Sequence, residues 1–321
     1  MVVTAVPREP EQASGAAPRT EAARAGATPL HYALLFVIAI SFYLTILLDL
    51  LGAWSWVVVA GLLGFVALRR TDRTTRILAL YPLVFLLYVA LRRLADDGFA
   101  PIRVEYAVVL DRALGLGRVP TIALQDWLSG ALAPAEPLLV GVYVSFFFAF
   151  VVLAPLLFRA DRPGAERMLA AGVVVFLIGL PIHWAVPTEP PWMAALGGHI
   201  GEAPRILHDS WLGEQTTVYE LGQDASANDV SAMPSYHTAL TVLIALAVAR
   251  LGRGWAVLGW AYAAAMGFAL VYGAEHWVID LAAGAGIAIV GWKLAPRLLG
   301  RLAATSGASD AGLQAETAEG T

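Results

Sequence analysis

The chain has 321 residues, of which 59% are hydrophobic and 14% are charged, and its mean hydropathy is +0.68. A water-soluble domain of this length could not bury so much apolar surface, so the composition predicts an integral membrane protein. The net charge of -4 and the scattered basic residues argue against nucleic acid as a partner. The sequence contains no cysteine, which excludes disulfides, thiolate nucleophiles and cysteine metal sites.

The two ends of the chain differ from its middle in composition. Residues 1–29 are rich in Ala, Pro, Glu, Gly and Thr, and we expect a disordered cytoplasmic tail with no removable signal peptide. Residues 304–321 predict a second disordered cytoplasmic tail. The segment 30–303 is predicted to form one integral membrane domain.

Apolar runs between the tails are long enough, or nearly so, to cross a bilayer core. They predict an all-α, polytopic membrane bundle of about eight transmembrane helices, at 31–50, 53–68, 77–95, 136–158, 168–186, 237–250, 255–273 and 277–296. The runs 53–68 and 237–250 are short and need tilt or flanking residues. Long polar stretches remain at 96–135 and 187–236.

The placement of basic residues predicts the orientation of the bundle, because short cytoplasmic loops hold an excess of Lys and Arg. Alternate connections carry this excess, with Arg69, Arg70, Arg73 and Arg76, then Arg159, Arg162 and Arg167, then Arg250 and Arg253, then Lys293, Arg297 and Arg301. We therefore place these connections and both termini on the cytoplasmic side. The stretches 96–135 and 187–236 then face outward. Arg92 and Arg93 fall at an outer helix end, where we interpret them as snorkelling anchors.

Two histidines are predicted to meet at the outer face. His237 opens one span, the chain crosses inward and returns, and His276 then opens the next span. A separation of 39 residues suits a helical hairpin with two bilayer crossings. Both histidines should therefore line one water-accessible pocket.

The residues around these histidines suit the chemistry of a phosphate ester. If the chain is helical from about 276 onward, Asp280 lies one turn from His276 and can fix its tautomer, which leaves the other ring nitrogen free to attack phosphorus. Ser235 is a predicted helix N-cap, and a helix N-terminus favours an anion. His237, in the first turn of that helix, is placed to protonate the leaving oxygen.

These motifs resemble those of a known family. The runs 234–237 (Pro-Ser-Tyr-His) and 276–280 (His-Trp-Val-Ile-Asp) resemble the second and third signature motifs of the type 2 phosphatidic acid phosphatase superfamily. Parts of 111–128 and the run 187–192 resemble outer-face elements of its inositol phosphorylceramide synthase branch. The resemblance implies a six-helix phosphatase-like core, a phosphohistidine at His276, an orienting Asp280, and His237 as acid and later base. It also implies a membrane lipid phosphate as substrate, a lipid or polyol alcohol as acceptor, and no cofactor.

The chain departs from the superfamily where phosphate-binding cations are usual. The third motif usually begins with Ser-Arg, but Ala269 and Leu270 stand there, and the Lys and Arg-Pro of the first motif are missing from the outer side. Outward arginines are the substitutes we expect, with Arg205 first because it precedes Ser235, followed by Arg118, Arg112 and Arg103. Tyr236 and Tyr272, beside the two motifs, complete the candidate substrate-binding residues.

Two other functions are open from the sequence. His237, His276 and Asp280 could instead be ligands of an intramembrane metalloenzyme, although no His-Glu-x-x-His run is present. A non-enzymatic lipid transporter would need broken helices or an internal repeat, and the sequence shows neither. Within the phosphate-ester interpretation, hydrolysis and transfer both remain open, as do the lipid, the acceptor and the oligomeric state.

Overall fold

The structure is a computed structural model that describes residues 27–38, 40, 53–70, 72–92, 100–207, 230 and 232–319. Within these residues the fold is helical and has no β-strand. The predicted class, an all-α membrane bundle, is confirmed. The predicted tail 1–29 and the second half of the predicted span 31–50 lie almost wholly outside the described residues.

The helices are labelled in chain order. They are α1 (Pro29–Ile38), α2 (Ala53–Arg69), α3 (Arg73–Arg92), α4 (Glu105–Leu114), α5 (Pro120–Leu132), α6 (Glu136–Ala160), α7 (Arg162–Ala185), α8 (Pro191–Leu196), α9 (Tyr236–Val248), α10 (Arg253–Tyr272) and α11 (Val278–Glu319).

Five helical segments of the described chain are long and apolar enough to cross a membrane. They are Arg73–Arg92, Pro120–Phe146, Arg162–Ala185, Arg253–Tyr272 and Val278–Ala304. Shorter apolar helices cover Pro29–Ile38, Ser55–Arg69, Phe148–Ala160 and Tyr236–Leu251. The count of about eight spans therefore stays a prediction.

Two stretches differ from the sequence prediction in their secondary structure. The stretch 96–135 is predicted to be polar and outward, but it contains α4 and α5, and a short 3-10 turn joins α5 to α6. Proline in the first turn of α5 suits a helix start there. The structure also continues α11 through Glu319, so the described part of 304–321 is helical where the sequence predicts a loose tail.

The centre of the bundle is built from α3, α7, α9 and α11. Helix α7 packs against α3 and α11, and α9 packs against α10 and α11. Helix α9 buries small side chains completely, including Ala239, Ala245 and Ala247. Lipid chains are as apolar as a protein core, so close approach at small residues, more than a hydrophobic driving force, holds such helices together.

The turn between α9 and α10 brings the chain back to the end of the bundle where α9 begins. Helix α9 ends in a 3-10 turn, and Gly252 follows with a φ of 130°. This is a backbone conformation that glycine adopts without the steric cost of a Cβ atom. Helix α10 then returns, and the connection 273–277 leads into α11, so the starts of α9 and α11 are neighbours.

The opposite end of the bundle is held by charged side chains. Arg73 on α3 pairs with the buried Glu166 on α7 at 2.6 Å, and Thr74 donates to the same carboxylate at 2.5 Å. Arg250, after α9, pairs with Asp161, between α6 and α7, at 2.6 Å. We call the end with these ion pairs the arginine end, and the end with His237, His276 and Asp280 the histidine end.

Candidate active site

The structure places the two motif histidines in direct contact. Nδ1 of His237 lies 3.3 Å from Nε2 of His276, and the ring centroids are 5.4 Å apart. His237 is the second residue of α9, and His276 lies two residues before α11. The helical hairpin therefore brings the histidines together as the sequence predicts.

Asp280 lies behind His276, on the side away from His237. Its Oδ2 atom is 3.4 Å from Nδ1 of His276 and accepts the backbone N–H of Trp277 at 2.9 Å. Asp280 is fully buried, and its Oδ1 atom has no hydrogen-bond partner among the described residues. A carboxylate only accepts, so it holds the proton of His276 on Nδ1 and leaves Nε2 as the acceptor that faces His237.

The sequence predicts that His276 and Asp280 lie one turn apart on the same helix, and the structure corrects this prediction. The helix begins at Val278, so His276 precedes it and only Asp280 is in its first turn. The contact forms nonetheless, because the chain turns at Trp277, whose carbonyl oxygen accepts the N–H of Asp280 at 3.1 Å. The short separation in sequence is maintained by a turn instead of by a continuous helix.

The segment 187–192 holds the connection that carries His276. The indole N–H of Trp277 donates to the carbonyl oxygen of Glu189 at 2.7 Å, and the N–H of Trp192 donates to Ala274 at 3.2 Å. Trp277 is fully buried. The segment therefore works as a rim that fixes the backbone on either side of His276.

Asp111 on α4 caps the start of α11. Its two oxygens accept the backbone N–H groups of Val278 at 2.9 Å and Ile279 at 3.1 Å. Burial raises the pKa of the Asp111 carboxyl above its usual value, although the two N–H donors act to lower it. A buried carboxylate at this position satisfies two amides that a helix start leaves without partners.

Gln125 on α5 holds the other side of the same connection. Its side-chain amide donates to the carbonyl oxygens of Tyr272 at 2.7 Å and Pro204 at 2.9 Å. It therefore joins the end of α10 to the segment before the second motif. The resemblance to the synthase branch includes the regions of Asp111 and Gln125, but it does not predict these hydrogen bonds to the backbone.

Ser235 is the N-cap of α9, as predicted. Its hydroxyl oxygen accepts the N–H of Thr238 at 3.2 Å, and its own N–H donates to the carbonyl oxygen of Asp280 at 3.1 Å. A Cβ atom on Gly284 would lie 2.2 Å from the carbonyl oxygen of Ser235. Glycine at this position therefore lets α9 and α11 approach closely directly below the histidines.

Aromatic rings surround His237 and Tyr236. The ring of His237 lies 4.1 Å from that of Phe146 and 5.4 Å from that of Tyr143, measured between centroids. Tyr236 lies 4.5 Å from Tyr88 and 5.2 Å from His183, also between ring centroids. Tyr236 thus packs inside the bundle beside the histidine pair, and nothing in its contacts identifies it as a substrate ligand.

Most of the arginines expected to bind phosphate have other contacts. Arg205 donates two hydrogen bonds to the carboxylate of Glu275, from Nε at 2.7 Å and from Nη2 at 3.1 Å. Its guanidinium also stacks on the ring of Trp192. Arg118 pairs with Asp126 at 2.5 Å on an exposed surface. Arg112 is exposed on α4. Arg205 also hydrogen-bonds Tyr143, whose ring stacks on His237, so of the three it is the arginine that the described contacts link to the histidine pair.

Tyr272 also has a different partner. Its hydroxyl donates to Glu136 at 3.2 Å, and the residue is fully buried. This contact joins the end of α10 to the start of α6. It supports the connection to His276 from below and does not reach either histidine in the described structure.

Arg92 is the cation that sequence reasoning overlooked. It interacts electrostatically with His237 and His183, and it hydrogen-bonds Tyr88 on its own helix. The sequence predicted Arg92 at an outer helix end as a snorkelling anchor and did not predict that its charge acts on the histidines. The position of Arg92 could have indicated this, because α3 ends at the same end of the bundle at which the two histidine motifs lie.

The described residues contain no group of three or more His, Cys, Asp or Glu side chains that could hold a metal ion. The alternative interpretation with His237, His276 and Asp280 as ligands therefore gains no support from their arrangement.

Comparisons with known proteins agree with this geometry. Residues 106–294, more than half of the chain, match the family model described as the PAP2 superfamily. The chain belongs to the PAP2 superfamily. It is also 27% identical over 169 residues to phosphoinositol dihydroceramide synthase from Bacteroides thetaiotaomicron. This match covers 47% of the chain and 54% of the relative, so the chain spans about half the length of the curated relative it matches.

No solved structure matches this PAP2 superfamily chain significantly. The predicted superfamily and its synthase-like branch are both confirmed by the family match and the curated relative. Membership supports a membrane enzyme that acts on lipid phosphoesters.

Proposed function

We propose that this protein is a lipid phosphotransferase that works through a phosphohistidine at His276, on the extracytoplasmic side of the membrane. One observation carries the proposal: Nε2 of His276 faces Nδ1 of His237 at 3.3 Å, and Asp280 lies behind. A nucleophile, a proton donor and an orienting carboxylate in this order form the minimum set for covalent phosphoryl transfer.

In the first step, Nε2 of His276 attacks the phosphorus of a lipid phosphate ester. The N–P bond forms as the bond from phosphorus to the leaving oxygen breaks. His237 donates a proton to that oxygen, so the lipid leaves as an alcohol. Asp280 accepts the Nδ1–H of His276 and stabilises the positive charge that develops on its ring.

In the second step, the neutral His237 acts as a base. It accepts the proton of an incoming hydroxyl, whose oxygen attacks phosphorus as the N–P bond breaks. His276 then regains its starting protonation, and His237 is again the proton donor. Protons and bonds balance over the two steps, with no other reactant than donor and acceptor.

The negative charge of the phosphoryl group needs cations or donors close by. Arg92 is our candidate, because it hydrogen-bonds Tyr88, whose ring lies 4.5 Å from that of Tyr236 beside His237, and its charge acts on His237 and His183. The N-terminus of α9 adds a partial positive charge under the same position. Arg205 has a weaker claim, since Glu275 balances its charge through two hydrogen bonds.

We favour an alcohol over water as the acceptor for two reasons. His276 is 6% exposed and Asp280 is fully buried, and a buried site limits the access of bulk water. The curated relative is named a synthase, although the match covers about half of it. The acceptor class that fits this name and the apolar surroundings is a polyol or lipid alcohol.

The extracytoplasmic location is supported by the charge pattern. The arginine-rich connections lie together at the end of the bundle away from the histidines, with ion pairs between Arg73 and Glu166 and between Arg250 and Asp161. Such an excess of positive charge is typical of the cytoplasmic face. The histidine end then faces outward.

A quench experiment tests this proposal. Purified protein is incubated with a lipid phosphate donor, stopped in alkali, where phosphohistidine is stable, and digested for mass spectrometry. We expect a phosphorus-containing adduct on His276 and, when an acceptor alcohol is added, a new phosphate ester of that alcohol. An adduct on another residue would refute the nucleophile. Release of inorganic phosphate at a rate that acceptors do not change would show that the enzyme is a hydrolase.

A further inference from the structure

The arginine end contains a cleft that the proposed chemistry does not use. Its volume is about 310 Å³, and it lies between the starts of α3 and α7, the middle of α11 and the turn after α9. Arginines dominate its polar lining, and apolar groups flank them, with Arg73, Arg167, Arg250, Glu166, Leu299 and Gly300 among the lining residues.

Positive charge exceeds negative charge around this cleft. Glu166 is shared by Arg73 at 2.6 Å and Arg162 at 3.4 Å, and Asp161 pairs with Arg250. Arg167 has no carboxylate within ion-pair distance among the described residues. Two carboxylates thus face four arginines, which leaves an excess of two positive charges.

Arg167 is the centre of this excess. Its Nε and Nη2 atoms donate to the carbonyl oxygen of Trp292 at 3.3 and 3.1 Å, and its guanidinium lies 4.3 Å from the centroid of the Trp292 ring. These contacts hold the guanidinium in place without neutralising it. Arg250 repels it as a neighbouring like charge. A fixed arginine beside another arginine favours an anion such as phosphate.

We propose that this cleft binds the phosphate headgroup of an anionic phospholipid, from the leaflet opposite the histidine pair. The source of the phosphate follows from position. The cleft lies where α3 and α7 begin, beside the apolar Pro296 and Leu299, and Trp292 stacks on its Arg167, so a headgroup can reach the arginines while its chains stay in hydrocarbon. This site is independent of the histidine chemistry.

Gly300 offers a mild way to change the charge of the cleft. A Cβ atom at Gly300 meets no heavy atom within 4 Å, so alanine there meets no steric conflict and a longer side chain leaves the backbone into open space. Gly300→Glu adds a negative charge to the lining, and Gly300→Ala is its matched control. Arg167→Gln removes the central charge, and Arg159→Gln removes an exposed arginine at the same end that does not line the cleft.

The full chain, purified in detergent, is titrated with phosphatidylglycerol, with phosphatidylcholine and with inorganic phosphate, and adducts are counted by native mass spectrometry. We expect tighter binding of phosphatidylglycerol than of phosphatidylcholine. Arg167→Gln and Gly300→Glu should each weaken it about 10-fold, the equivalent of ~1.4 kcal/mol. Arg159→Gln, Gly300→Ala and His276→Ala should bind as the unchanged protein does.

Three outcomes would overturn the proposal. Equal binding of the two lipids would remove the requirement for an anion, and unchanged affinity in both Arg167→Gln and Gly300→Glu would place the lipid elsewhere. Loss of binding in His276→Ala would place it at the histidine end. Displacement of phosphatidylglycerol by an equal concentration of inorganic phosphate would identify free phosphate as the ligand and contradict a lipid source.

Discussion

The polar side chains at the two ends of the bundle have different kinds of partner. At the arginine end, charged side chains on different helices pair with one another, as Arg73 does with Glu166 and Arg250 with Asp161. At the histidine end, Asp111 and Gln125 bind backbone groups of the connection around His276 instead. Ion pairs thus tie helices together at one end, while at the other end side chains fix a backbone so that two ring nitrogens face each other.

This contrast predicts that substitutions at the histidine end change turnover and that those at the arginine end change stability. His276→Ala should give the largest effect, because it removes the nucleophile, and we expect a loss of kcat of at least ~10⁴-fold. The measurement is product formation from a lipid phosphate donor. His199→Ala, at an exposed histidine outside the pair, is the matched control and should keep full activity.

Asp280→Asn should reduce kcat by roughly 10²- to 10³-fold with little change in expression. The amide keeps the size of the carboxylate, but it cannot supply the negative charge that stabilises a protonated His276 ring. Steady-state kinetics with the same donor measure this effect. Activity within a factor of two of the unchanged protein would show that the carboxylate does not orient the nucleophile.

Arg92→Gln should lower kcat/KM by about 10- to 100-fold, since one charge-assisted contact to phosphate is lost. Arg118→Gln removes an exposed arginine that pairs with Asp126 and serves as the control. If Arg118→Gln has the larger effect on kcat/KM, the phosphate cation lies on α4–α5 and not on α3.

Asp111→Ala tests whether a side chain without substrate contact shapes the site. Two amides of α11 would lose their acceptor, so we expect a loss of ~1 kcal/mol in stability and about 10-fold in kcat, with KM almost unchanged. Asp126→Ala, at an exposed carboxylate on α5, is the control. A fall in stability with full kcat would limit Asp111 to a structural role.

Glu166→Gln should have the smallest effect on turnover and a clear effect on stability. It removes the charge that Arg73 and Arg162 share, and we expect a loss of about 1–3 kcal/mol by thermal or denaturant unfolding. The kcat should stay within a factor of two. A large loss of kcat at unchanged stability would show that the two ends are coupled through α7.

The sequence predicted those parts of the site that depend on short spacing and helix direction. The hairpin from His237 to His276 and the N-cap at Ser235 follow from local patterns, and both are present in the structure. The contacts of Asp111 and Gln125 join residues 79 or more positions apart. No local pattern specifies such pairs, because they depend on how α4 and α5 pack.

The arginines show the same limit. Arg205 is the first candidate from the sequence because it lies near Ser235 along the chain, but in the structure it pairs with Glu275. Arg92 lies far from both motifs in sequence and comes near His237 because α3 and α9 share the centre of the bundle. Similarly, the two short helices within 96–135 were not predicted, because that stretch was interpreted only as a polar outer segment, although α5 is part of an apolar segment.

The 3.3 Å separation of the two imidazole nitrogens leaves no room for a reactant between them. A phosphorus atom approaches its nucleophile to about 3–3.5 Å, with the departing oxygen beyond it, so the rings must move apart when the donor arrives. The hydrogen bond that joins them contributes only about 1 kcal/mol net, a modest energy for lipid binding to overcome. Under the proposed mechanism, the hydrogen bond to His237 therefore keeps Nε2 of His276 covered until the donor separates the two rings.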